Sequence, residues 1–188
     1  MLTPSAIALL AELKEERART KTPNVSDMTG QYLYDLIVDR GYLRLLELGT
    51  ANGYSTIYLA EAVGKRGGHV LTVETQHTAY LAARHNLAGY RSCVTQIHAD
   101  AKEFCKSLSR ETFDFAFIDA SKKETLTYFL SVWPRIVDHG MIIIDDVVKF
   151  SDKMEDFYDF LEDSGLKHEI VMTDPDDGIM LISKTANL

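Results

Sequence analysis

The order of strand-like segments is the feature that most restricts this chain. "LRLLELG" (43–49), "HVLTVE" (69–74), "CVTQIHA" (93–99), "FDFAFID" (113–119) and "MIIIDD" (141–146) are short, mostly apolar runs, each followed by a segment of helical spacing or a turn leading into one. Continuous apolar runs belong to strands buried on both faces, and hence to a parallel sheet covered by helices. Two further strand segments, "KHEIVMT" (167–173) and "IMLIS" (179–183), are separated only by "DPDDG". A parallel crossover needs about a dozen residues, so the last strand must run antiparallel to its predecessor. The expected fold is α/β: a doubly wound, mostly parallel seven-stranded sheet, with one antiparallel strand near the edge and helices on both faces.

Helical spacing covers about Pro4 to Ala18 and Asp27 to Arg40, the latter with Ser26 or Asp27 as N-cap and Gly41 as its stop. The remaining helices are read in "YSTIYLAEAV" (54–63), "TAYLAARHNLAGY" (78–90), "DAKEFCKSL" (100–108), "TLTYFLSVWPRIV" (125–137) and "DKMEDFYDFLEDSG" (152–165), with Pro134 expected to distort the end of its helix. The 188 residues include four prolines and no repeat, which fits a single domain, 1–188, with N-terminal helices in 1–40 on a core of 41–188. The N-terminus reads as an amphipathic helix without a basic leader, and no apolar run approaches the ~20 residues of a membrane span. A cytoplasmic protein with no membrane contact is expected. The formal net charge of −8 gives no general basic field of the kind a nonspecific nucleic-acid binder shows. Cys93 and Cys105 are expected to be reduced, buried thiols, and the histidines have no zinc-ligand spacing.

In such sheets ligands bind beyond the carboxyl ends of the strands, where strand order reverses. The loop after the first strand, "GTANGYS", puts Gly49 and Gly53 there, so that backbone can approach a ligand, with Ser55 near the next helix start. The dinucleotide fingerprint G-x-G-x-x-G is not met. Glu74 ends the second strand, where an acid can accept from ribose hydroxyls. Asp100 has two readings, a helix N-cap or part of an adenine pocket. Together these features point to an adenosine ligand without a pyrophosphate.

At this point "NVSDMTGQYLYDLI", "LLELGTANGYSTIYLA", "VLTVE", "FDFAFIDASK" and "IIIDDV" resemble, in order and spacing, the class I S-adenosylmethionine-dependent O-methyltransferases of the catechol and caffeoyl-CoA type. The resemblance spans roughly residues 20 to 185. It implies that Val25 contacts the methionine end of the cofactor, that Glu47, Gly49, Thr50 and Ser55 line its methionine part, and that Glu74 takes the ribose hydroxyls. Ala101 would sit by the adenine, and Asp119 would serve both cofactor and metal. A homodimer is likewise implied; the apolar stripe Ile7, Leu10 and Leu13 could pack on its own domain or on a partner.

Asp119, Asp145 and Asp146 end two strands that are neighbours in the resembled fold. Like charges crowded together call for a cation among them. Oxygen ligands suit magnesium, with calcium and manganese as alternatives. Lys122 matches the lysine that serves the family as general base. Two departures stand out. Asp146 replaces the family's usual asparagine, and the segment after the fifth strand passes quickly into a helix, leaving an open acceptor site with Phe150 as one candidate wall. Ser121 and Thr125 also replace larger family residues. The expected activity is methyl transfer to a hydroxyl of a catechol-like or other hydroxylated aromatic. A hydroxylated base in transfer RNA is the alternative acceptor, and a nicotinamide-dependent oxidoreductase the competing enzyme class.

Overall fold

The computed structural model describes residues 1–20, 22 and 24–185. Seven strands, β1 (Arg44–Leu48), β2 (His69–Glu74), β3 (Val94–His98), β4 (Phe113–Ile118), β5 (Ile136–Ile144), β6 (Glu169–Met172) and β7 (Gly178–Ser183), form one sheet in the order β3-β2-β1-β4-β5-β7-β6. β7 pairs antiparallel with both β5 and β6, while the pairs from β3 through β5 are parallel. The five-residue turn therefore does what its length requires, and the antiparallel strand lies second from the edge. Strand order reverses between β1 and β4, which makes the carboxyl ends of these two strands the expected ligand crevice.

The period-two alternation of the strands divides the core. Leu45, Phe115, Phe117, Met141, Ile143, Ile179 and Leu181 face one layer, with α1 (Pro4–Thr20), α2 (Asp27–Arg40), α3 (Tyr54–Val63) and α4 (His77–Asn86). Leu46, Leu48, Ala116, Ile118, Ile142, Ile144, Met180 and Ile182 face the other, with α5 (Ala101–Ser107), α6 (Thr125–Val132) and α7 (Glu155–Ser164). Each fully buried aliphatic or aromatic side chain contributes roughly 1.5–3 kcal/mol, so both layers are needed to hold the central strands flat against the helices. Leu10 and Leu13 pack into the first layer, whereas Ile7 is 56% exposed, so the N-terminal stripe is split between the domain and the surface.

The start of α2 is fixed where the sequence places it. Ser26 accepts from the Thr29 amide at 3.0 Å, and Gly41 closes the helix in the left-handed conformation. Thr29 also donates to Thr173 at 2.8 Å in a buried contact, which ties α2 to the β6–β7 turn. Two expectations are corrected. The helix expected over 125–137 ends at Val132. Trp133–Arg135 forms a 3-10 turn containing Pro134, and Ile136 already pairs with Phe113 as the start of β5. Proline removes a helical donor at that point, and the carbonyls of Ser109 and Leu108 capture the Arg135 guanidinium. The helix expected from Asp152 starts at Glu155, after a 3-10 turn at Ser151–Lys153.

Candidate active site

Three residues of the loop after β1 have positive φ: Gly49 (100°), Ala51 (47°) and Gly53 (90°). The two glycines have separate reasons. A Cβ on Gly49 would lie 2.1 Å from the Asp119 carbonyl oxygen at the end of β4, and one on Gly53 would lie 3.1 Å from the Leu87 side chain. The chain itself thus calls for glycine at both, whatever ligand lies above: Gly49 by this backbone clash, Gly53 chiefly by its φ of 90°. Ala51 has no such excuse and is held by Glu74, whose Oε2 accepts its amide at 2.8 Å. The other oxygen of Glu74 accepts from the Gln76 amide at 2.7 Å. A carboxylate offers about four acceptor positions, so Glu74 is locked in place with capacity left over.

Glu47 lies in mid-strand and is fully buried. Its Oε1 accepts from the Ser55 hydroxyl at 2.6 Å, and its Oε2 from Thr56 at 2.5 Å and Thr72 at 2.6 Å. Thr50 joins this network through the Thr72 hydroxyl at 2.6 Å. The side chains of Glu47, Thr50 and Ser55, expected to line the methionine part of the cofactor, are therefore joined in one hydrogen-bond network, with acceptor positions left on the hydroxyls and on Glu47. They brace both ends of the loop from below. Burial pushes the Glu47 carboxyl up to about 7, against the pull of the three hydroxyls.

Val25 is buried against the first core layer just ahead of α2, and Ala101 is buried in the first turn of α5. Asp100 is a helix cap, accepting from the amides of Lys102 (2.9 Å) and Glu103 (3.1 Å). Ser121 precedes a short 3-10 turn, and Thr125 donates to the Lys122 carbonyl at 2.9 Å. Phe150 is half-buried against the second core layer, with the Lys153 ammonium 4.3 Å from its ring centroid.

Asp119, Asp145 and Asp146 converge at the ends of β4 and β5, with one carboxylate oxygen from each lying within 4.8 Å of the others. Lys122 reaches into this group. Its Nζ lies 2.7 Å from Asp119 Oδ1, 3.1 Å from Asp146 Oδ2 and 3.2 Å from the Asp145 carbonyl. Burial alone would push the ammonium down, but Asp119, Asp146 and Asp145 outweigh it and hold Lys122 above its ordinary range. Burial raises the carboxyls of Asp119 and Asp145; for Asp145 the neighbouring Asp119 adds to it, and Lys122 pulls both back. One ammonium cannot balance three carboxylates. Oxygens spaced this way fit around a hard cation with metal–oxygen bonds of about 2.0–2.6 Å, where opposite ligands stand about 4–5 Å apart. Asp146 has φ 57°, a left-handed conformation that among non-glycine residues favours Asp and Asn. Either side chain therefore suits this position on backbone grounds.

Sequence reasoning missed Asp177, in the turn before β7. It is 6% exposed, and its Oδ1 accepts from the amides of Val148 (3.1 Å), Lys149 (3.2 Å) and Gly178 (2.8 Å). Nothing in "DPDDG" separates a buried aspartate from its solvated neighbours, so only the turn was legible.

A methyltransferase domain family matches residues 46–147, from the β1 end to just past Asp146. The chain is 35% identical over 129 residues to a catechol O-methyltransferase of Mycobacterium tuberculosis, a match covering 66% of this chain and 57% of that protein. It therefore spans little more than half of that relative's length. Among solved structures, an O-methyltransferase from Bacillus cereus in complex with SAH superposes with a TM-score of 0.82 at 27% identity, covering 94% of this chain and 91% of that one. The O-methyltransferase TomG from Streptomyces achromogenes, in complex with SAM, gives 0.83 at 25% identity, covering 95% and 90%. No helix among the described residues is long and apolar enough to cross a membrane. With its loop, strand order and family match in agreement, the chain belongs to the methyltransferase domain family and shares the fold of class I S-adenosylmethionine-dependent O-methyltransferases.

Proposed function

We propose that this chain transfers a methyl group from S-adenosylmethionine to a hydroxyl of a catechol-like or other hydroxylated aromatic acceptor, with a divalent cation held by Asp119, Asp145 and Asp146. The observation that carries the reading is the contact at Gly49, where the loop after β1 packs directly on the Asp119 carbonyl. A ligand over that loop lies beside the acid cluster. The names of the Mycobacterium tuberculosis, Bacillus cereus and Streptomyces achromogenes proteins support the same chemistry.

The residues divide the work. Glu74, anchored by two amides, has acceptor positions left for the ribose hydroxyls. Glu47 keeps the loop rigid through Ser55, Thr56 and Thr72. Val25 and Thr50 flank the methionine part and Ala101 the adenine. Asp119, Asp145 and Asp146 would hold the cation, magnesium by its all-oxygen donors and with calcium or manganese also compatible, which would supply Lewis acidity to ease deprotonation of a phenol of pKa ~10. Lys122 receives the acceptor's proton at Nζ. While Asp119 and Asp146 hold it, it stays an ammonium. Once those carboxylates are engaged elsewhere, burial favours the neutral amine.

A hydroxylated base in transfer RNA is the second reading. It is favoured by the short, turn-rich segment between β5 and α7, which exposes Lys149 and Lys153 as contacts for phosphate. Both readings are tested by incubating the protein with labelled methyl donor, and either pooled phenols or transfer RNA, with and without chelator. Labelled catechol that disappears in chelator supports the first reading. Label in transfer RNA alone moves the acceptor to the second. Binding of NADH without S-adenosylmethionine binding would overturn both.

A further inference from the structure

We infer that Asp177 is a positioning residue for the carboxylates of Asp145 and Asp146; its consequence for metal binding rests on the reading above. The residues after β5 turn sharply. Asp146 sits at φ 57°, the Val147 amide donates to the Gly178 carbonyl at 3.1 Å, and the Val147 carbonyl accepts from the Tyr158 hydroxyl at 2.7 Å. The next two amides, Val148 and Lys149, both donate to Asp177 Oδ1, which also accepts from the Gly178 amide. A left-handed non-glycine residue persists where its surroundings over-determine it. Here one buried oxygen gathers three amides from two separate segments and clamps the turn to the start of β7.

The clamp is one-sided. Asp177 Oδ2 is buried and has no hydrogen-bond partner among the described residues. All the positioning is done by Oδ1, and a neutral amide can reproduce it, because the carbonyl of asparagine accepts from N–H groups as a carboxylate does. Asp177→Asn therefore keeps the clamp and removes the charge, whereas Asp177→Ala removes both.

Two measurements test this. The first is hydrogen exchange at the Val148 and Lys149 amides. Asp177→Ala should speed it by about tenfold or more, with amides of the loop after β1 unchanged, and Asp177→Asn should leave it close to wild type. The second is Mn2+ affinity by titration. Asp177→Ala should lose about 10–100-fold, the usual cost of removing an outer-shell support. Asp177→Asn should lose clearly less than Asp177→Ala, a few-fold at most from the charge it withdraws from beside Asp119, and both should bind S-adenosylmethionine normally. Wild-type exchange or wild-type Mn2+ affinity in Asp177→Ala overturns the inference. So does folded Asp177→Asn with fast exchange, an outcome that decides the matter even if the alanine variant does not fold. Absence of Mn2+ binding in the wild type counts against the metal reading instead, and hydrogen exchange then decides the role of Asp177 alone.

Discussion

The loop after β1 and the acid cluster meet at Gly49, yet they are built on opposite principles. In the loop region each carboxylate oxygen has donors: hydroxyls of Ser55, Thr56 and Thr72 for Glu47, and backbone amides of Ala51 and Gln76 for Glu74. In the cluster, three carboxylates share one lysine. A fully satisfied network is rigid and needs nothing further. A cluster with excess negative charge gains from each cation that enters it. On the proposed reading, the half of the site that would grip the cofactor is complete in the folded chain, while the half that would handle the acceptor's proton would take its final electrostatic form only with a cation.

This contrast breaks most visibly at Lys122. Lys122→Ala should reduce turnover by about 10²–10⁴-fold, the range for losing a general base. Cofactor affinity should stay unchanged, because the polar contacts of its ammonium lie within the acid cluster. Turnover kinetics beside cofactor titration checks this; equal loss in both would mean that the two halves are not separable.

The second effect is one of pH and belongs to the loop. The Glu47 carboxyl titrates at about 7 in the fold against an ordinary 4.5. The folded state therefore binds the proton more tightly. The stability this gives is complete below the ordinary value and is lost as pH rises through 7, in total about 3 kcal/mol. Glu47→Gln lacks this titration. The unfolding free energy of wild type minus variant should fall as pH rises from 4.5 to 7. A difference that ignores pH would show that the three hydroxyls offset burial and leave Glu47 titrating as it does in the unfolded chain.

Glu74→Ala sharpens the same half. It removes the group proposed for the ribose and frees the Ala51 amide, so the cofactor should bind about 1–3 kcal/mol more weakly by calorimetry. An unchanged dissociation constant would reduce Glu74 to a backbone clamp. The smallest effect is expected for Asp146→Asn. Asparagine tolerates the left-handed backbone at this position, so turnover should largely survive, with cation affinity a few-fold weaker. If it is as inactive as Lys122→Ala, the second aspartate has a task that an amide cannot perform.

Much of this frame was legible in the sequence, for local reasons. The caps at Ser26 and Gly41, the antiparallel β7 and the acids ending β4 and β5 follow from turn chemistry and strand period, which act within a few residues. The reasons for the glycines were not legible. Gly49 is required by a carbonyl at the end of a strand far along the chain, and Gly53 is favoured by its left-handed backbone, with Leu87 packed close against it. The hydroxyl network around Glu47 was not legible, because its three partners belong to an adjoining strand and the following helix. Asp177 was hidden among turn acids, since burial is set by what packs over a residue and not by its neighbours in sequence. The start of β5 at Ile136 was concealed by apolar residues that suit a helix end equally well.

The most direct test compares cofactor affinity and methyl transfer to catechol in the wild-type protein, with chelator and after magnesium is restored. Cofactor affinity should be the same in both conditions, turnover should vanish in chelator and return with the metal, and the melting temperature should rise with it. Full turnover in chelator would contradict the division between a finished cofactor loop and a cation-dependent acid cluster.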